Sequence, residues 1–229
     1  MNKHQLETLG IGLVVLLAAA IPPNLFPAAQ AGFAKMSTLA LWLLLPSAAL
    51  LILGTAMSVL RGHTALSRRI FAGAIAGLVA TVGLELVRST SFHLGGMPGD
   101  MPRLLGVLLT DRFMLGPSTL SDILGYAYHA WNGISFGIIL AVVFGRRPLW
   151  FDLVLVQMIG LGFLISPAVS ALGIGFMGLS MPAMPLTVIL AHLAYGFIYA
   201  SMTRRLVPPD PWLPVRRPAT ALRRALHKP

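Results

Sequence analysis

Apolar residues in this chain neither alternate nor recur on one face; they dominate long runs over 9–21, 38–60, 70–87, 120–144, 149–172 and 185–203, and most of the polar residues gather between these runs. A helix rises 1.5 Å per residue and the hydrocarbon core of a bilayer is about 30 Å thick, so runs of about 18 residues or more predict membrane-crossing helices. The pattern predicts an all-α, polytopic integral membrane bundle of about six transmembrane helices, with a kink at Pro46. The first run precedes Pro22-Pro23 and an Ala29-Gln30-Ala31 triplet, the outline of a cleavable signal peptide. The long distance from the run to the triplet favours a retained helix. Between the third and fourth runs lies a loop expected over 89–119, whose apolar part, 103–114, predicts a short interfacial or re-entrant helix.

Composition agrees with a protein built in lipid: 56% of its 229 residues are hydrophobic, 10% are charged, and the mean hydropathy is +0.81. The formal net charge of +10 does not point to nucleic acid, because the cations sit on one side of the runs. Lys3, Arg61, Arg68, Arg69, Arg146, Arg147 and seven cations from Arg204 onward fall together, against Lys35, Arg103 and Arg112 opposite, with Arg88 at the boundary. The positive-inside rule then predicts both termini in the cytoplasm and a multi-pass protein of a bacterial-type inner membrane. The basic, Pro-rich tail over 206–229 predicts attraction to anionic lipid.

Met-Pro pairs recur. Met97-Pro-Gly-Asp-Met-Pro102 and Met181-Pro-Ala-Met-Pro185 each precede a His-x-x-x-Gly helix, His129 to Gly133 and His192 to Gly196, and each helix ends near an Arg pair. The order predicts a parallel internal repeat, 70–147 and 148–205, added to an N-terminal hairpin over 1–69 and followed by the tail. Gly73, Gly77, Thr81 and Glu85, then Gly125, His129, Gly133 and Gly137, are spaced by four and predict close helix faces.

Ionisable residues within such runs face a bundle interior or a wet cavity. Glu85, His129 and His192 fall at similar depth, with Arg88, Tyr126, Asn132 and Tyr195 able to join a polar or proton network. Cysteine is absent, so a metal would need His, carboxylate or thioether ligands. His93, Asp100, Met97, Met101, Met181 and Met184 in the outer loops, above Glu85, His129 and His192, compose a soft-to-hard ligand set that favours copper for transfer or redox chemistry. Haem or iron suits the same histidines, although no Cys-x-x-Cys-His is present. A proton-coupled small-solute carrier is the alternative, with Glu85 as proton carrier, and a non-catalytic subunit docking partner membrane subunits is the third. Each polar residue also has a plainer reading: Glu85 and Arg88 as a structural i,i+3 pair, the histidines as interhelical hydrogen-bond partners, and Asp111 with Arg112 as a local pair.

Overall fold

The computed structural model describes residues 2–207. The lipid-binding tail expected over 206–229 lies almost wholly outside the described residues. The chain is about 80% helical without strands among the described residues. In order come α1 (Lys3–Gln30), α2 (Met36–Leu39), a π turn at Ala40–Leu44, α3 (Leu45–Leu60), α4 (Thr64–His93), α5 (Met101–Leu109), α6 (Thr119–Val143), α7 (Leu149–Leu164), α8 (Pro167–Ser170), a 3₁₀ turn at Phe176–Gly178 and α9 (Ala183–Leu206).

Among the described residues, five helices are long and apolar enough to cross a membrane: Lys3–Gln30, Met36–Leu60, Thr64–His93, Thr119–Val143 and Ala183–Leu206. Their outward surfaces are large aliphatic and aromatic side chains such as Leu17, Trp42, Ile52, Leu86 and Phe197. In water such a surface would be a severe liability, whereas in a bilayer it is the ordinary boundary. This is the character of a multi-pass helical membrane protein. The sixth apolar helix, α7, has only 16 residues. The run expected over 149–172 breaks at Ser166, whose backbone is extended (φ −73°, ψ 159°) ahead of Pro167. A residue preceding proline is driven out of helical geometry, and that steric effect ends α7 early.

Other boundaries move for similarly local reasons. The helix expected to end at Pro22-Pro23 continues to Gln30 with Pro22, Pro23 and Pro27 inside it. In lipid a proline-containing helix persists where neighbours support its backbone, and here Tyr128 Oη of α6 donates to the Pro22 carbonyl at 2.6 Å. At Pro46, which lacks an N–H and crowds the preceding turn, the helix widens into the π turn just before it. Much of the loop expected over 89–119 is helical: α4 runs on to His93, and α5 begins at Met101, two residues before the expected 103.

The core is organised around α4, which packs against both α6 and α9, while α1 lies on α3 and α6 and α7 lies on α9. The α4–α6 contact is backbone against backbone. A Cβ placed on Gly77 would strike the Gly133 carbonyl oxygen, and one on Gly137 would meet the Gly73 carbonyl oxygen and Gly77 Cα. Side chains of α9 reach the carbonyls this approach leaves accessible: Tyr195 Oη donates to Gly133 O at 2.8 Å and Tyr199 Oη to Gly137 O at 3.1 Å. Small residues every fourth position thus set the spacing of three helices at once, as packing does where no water drives association.

Candidate functional site

Glu85 sits eight residues before the end of α4, His129 ten residues into α6, and His192 nine residues into α9. At 1.5 Å per residue each lies about 12 to 15 Å from the same end of the bundle. Glu85 is the hub. Arg88 Nε lies 2.9 and 3.0 Å from its two carboxylate oxygens and Nη2 lies 2.7 Å from Oε2, while His129 Nε2 lies 2.9 Å from Oε1. Arg88 Nη2 also reaches Asp100 Oδ1 at 3.0 Å, and Tyr126 Oη donates to Asp100 Oδ2 at 3.2 Å. The residue just before α5 is thereby tied to α4 through the Arg88 guanidinium and to α6 through the Tyr126 hydroxyl. Such bidentate, charge-assisted bonding is the strong form of the Arg–carboxylate contact.

Beside this network is a cavity of about 540 Å³. Its wall is largely apolar, with Phe26, Leu105, Phe136 and Val188 among its residues, and its polar members include Arg88, His129, Asn132 and His192. Arg88 Nη1 and Asn132 Oδ1 are buried without a hydrogen-bond partner. His192 Nδ1 lies 2.7 Å from the Val188 carbonyl, a bond that puts the proton on Nδ1 and leaves Nε2 an acceptor. The His192 ring packs flush on α7, since a Cβ on Gly160 would come 2.8 Å from its Cγ. A volume of this size with an apolar wall and a few convergent polar atoms has the form of a small-molecule site.

The residues expected to act together divide into three groups. Glu85, Arg88, Asp100, Tyr126 and His129 form one bonded network. Met97, Met101, Asn132, His192 and Tyr195 line the cavity with Arg88 and His129. His93, Met181 and Met184 do neither: His93 is exposed against Phe92, Met184 is fully buried in the apolar core, and Met181 packs on that core. The pairing expected of Asp111 with Arg112 is replaced by longer-range contacts. Asp111 accepts from Ser37 Oγ at 2.8 Å and lies 4.0 Å from Lys35 Nζ, while Arg112 Nε donates to Gly116 O.

Sequence reasoning missed two features. Arg103 pairs with Asp122, Nη2 to Oδ2 at 3.0 Å, and fastens α5 to α6. At the far end of the bundle His4, Glu7 and His63 bring ligand-type atoms within 4.8 Å of one another. His4 and Glu7 sit three apart on the first turns of α1, which is a local signal, but His63 lies 56 residues beyond Glu7 and only folding brings it there. Comparison with protein-family models, with curated proteins and with solved structures returned no match.

Proposed function

We propose that this chain is a multi-pass membrane protein that binds a small amphipathic molecule in its intramembrane cavity, with the polar head held against Arg88, His129, Asn132 and His192. The observation that carries this reading is the pair of unsatisfied buried atoms, Arg88 Nη1 and Asn132 Oδ1, on residues of a largely apolar wall. Buried polar groups in native proteins are nearly always bonded, and a donor and an acceptor left open beside a cavity call for a ligand that supplies the complements. The hydrogen bond from His129 Nε2 to Glu85 links that carboxylate to the cavity wall, a geometry suited to relaying a proton to the bound head. The tight Gly73/Gly77 against Gly133/Gly137 crossing and the Tyr195 and Tyr199 hydroxyls close the other half of the bundle. That closure favours binding and proton chemistry over a continuous path for a carrier.

The same reading takes α7 as a short sixth span, both termini as cytoplasmic, and the membrane as a bacterial-type inner membrane. The cavity then opens toward the outer face. The parallel repeat over 70–147 and 148–205 is supported by the equal depth of His129 and His192 on α6 and α9.

A second reading is a transition-metal site, copper first and iron or haem after it. It is favoured by Met97, Met101, His129 and His192 lining one cavity. Against it stand the Arg88 guanidinium in that wall, which repels a cation, and the engagement of His129 Nε2 by Glu85. Native mass spectrometry and elemental analysis of gently solubilised protein separate the readings. A bound organic molecule retained by wild type and lost from Asn132→Leu and His192→Leu supports the first. Stoichiometric copper or iron lost from His129→Ala/His192→Ala establishes the second. Absence of both, with solute-driven proton flux in liposomes, would make the protein a carrier; without flux, a subunit.

A further inference from the structure

The second polar cluster lies about 33 Å from the first, since Glu85 follows His63 by 22 residues of which all but His63 are helical. His63 occupies the position just before α4, its side chain making no bond to the helix end, and that side chain is fully buried. Its ring stacks on His4 with centroids 4.4 Å apart, and its Nε2 lies 4.0 Å from Glu7 Oε2. That nitrogen is too far from Glu7 for a hydrogen bond and has no other partner.

The tautomer follows from Thr8. Thr8 Oγ1 lies 2.7 Å from the His4 carbonyl and 2.8 Å from His63 Nδ1, and with one proton to give it satisfies both contacts only by donating to the carbonyl and accepting from Nδ1. His63 therefore carries its proton on Nδ1 and presents the Nε2 lone pair toward His4 and Glu7. An oxygen behind one ring nitrogen that orients the other is the usual support of a metal-bound histidine.

We propose that His4, Glu7 and His63 form a binding site for one divalent first-row transition ion, of which zinc is the natural occupant, clamping the start of α1 to the α3–α4 turn. Two imidazoles and one carboxylate with an open fourth position are a known donor set for zinc. Tetrahedral bonds of about 2.0 to 2.2 Å place ligand atoms about 3.3 to 3.6 Å apart, so the cluster must tighten modestly from its present spacing. That movement falls on exposed His4 and half-buried Glu7, on the first turns of α1, while His63 stays fixed. Arg61 Nη1, 3.5 Å from Glu7 Oε1, holds the other carboxylate oxygen and leaves Oε2 turned to His63. The positive ends of α1 and α4 oppose a cation, and the negative charge of Glu7 offsets them.

This site is independent of the cavity, and its test reads metal binding alone. Chelator-stripped protein carrying a tag without histidine is titrated with Co²⁺, followed by the visible bands of four-coordinate cobalt, and then with Zn²⁺ in competition. With no cysteine in the chain, no thiolate band intrudes. One Co²⁺ per chain is expected, displaced by Zn²⁺, abolished in His63→Gln, weakened at least about tenfold in Glu7→Gln, and about ten- to a hundredfold in Thr8→Val. His129→Ala/His192→Ala should leave it unchanged. No cobalt bands, bands surviving in both His63→Gln and Glu7→Gln, or bands lost only from the His129/His192 variant would each overturn the proposal. Should His63→Gln fail to fold, Glu7→Gln, altered at a side chain 34% exposed, decides alone.

Discussion

Arg88 holds two carboxylates from two segments, and replacing it with methionine tests whether the network is a structural keystone. The Arg88 side chain is 6% exposed, and those of Glu85 and Asp100 are 18% and 17%. Removing one partner from a buried ionic cluster costs about 3–5 kcal/mol, because the partner charges stay behind. In Arg88→Met, Glu85 keeps His129 at 2.9 Å and Asp100 keeps Tyr126 at 3.2 Å, so the loss should lie near the low end, about 3 kcal/mol. The assay is equilibrium unfolding in mixed micelles with increasing sodium dodecyl sulfate, followed by circular dichroism. Adding Glu85→Gln and Asp100→Asn to Arg88→Met removes the stranded charges and should recover all but about 1 kcal/mol. A single variant within about 1 kcal/mol of wild type, or a triple variant no better than the single, would refute the reasoning.

Gly77→Ala should destabilise by about 1–3 kcal/mol, since its Cβ collides with the Gly133 carbonyl, whereas Gly10→Ala, on an exposed helical site with nothing within 4 Å, should stabilise by up to about 1 kcal/mol; paired unfolding curves check the contrast. The His63 pKa is lowered in the folded protein, so the unfolded state binds more protons and metal-free protein should lose stability as pH falls below about 6.5; the Tm of His63→Gln, measured from pH 8 to 5, should show a shallower fall. A cysteine replacing Gly99 should react with an impermeant thiol reagent from outside whole cells, and one replacing exposed Arg68 should not; the opposite pattern would invert the topology. Asn132→Leu should abolish retention of the bound organic molecule and cost about 1 kcal/mol of stability, the worth of the bond its side chain makes to Tyr128, since its Oδ1 has no protein partner to lose.

The Glu85 network was partly legible in the chain because helical spacing and depth are local arithmetic: an i,i+3 Glu85–Arg88 pair and two histidines at nearly equal distance from helix ends can be counted. Asp100, assigned a ligand's part, instead binds Arg88, a choice made by where the turn before α5 returns onto α4. The expected roles of Met181 and His93 rested on proximity in sequence alone, and the fold turned one into the core and the other outward. Nothing local marked His63 as a neighbour of Glu7 and His4, because the contact needs the α2–α3 segment to return the chain beside the start of α1.

Taken by itself, the order of amino acids determined the helical, lipid-embedded character of the protein, since length and continuity of apolar runs answer directly to bilayer thickness and to the cost of unbonded backbone in hydrocarbon. It also marked where small residues permit close packing. Only the tertiary structure decided that α4 lies at the centre, that Gly77 meets Gly133, and that Arg88 Nη1 and His63 Nε2 are left open at opposite ends. Those outcomes depend on which helix faces meet, and the packing energies that choose among faces come from residues far apart in the chain.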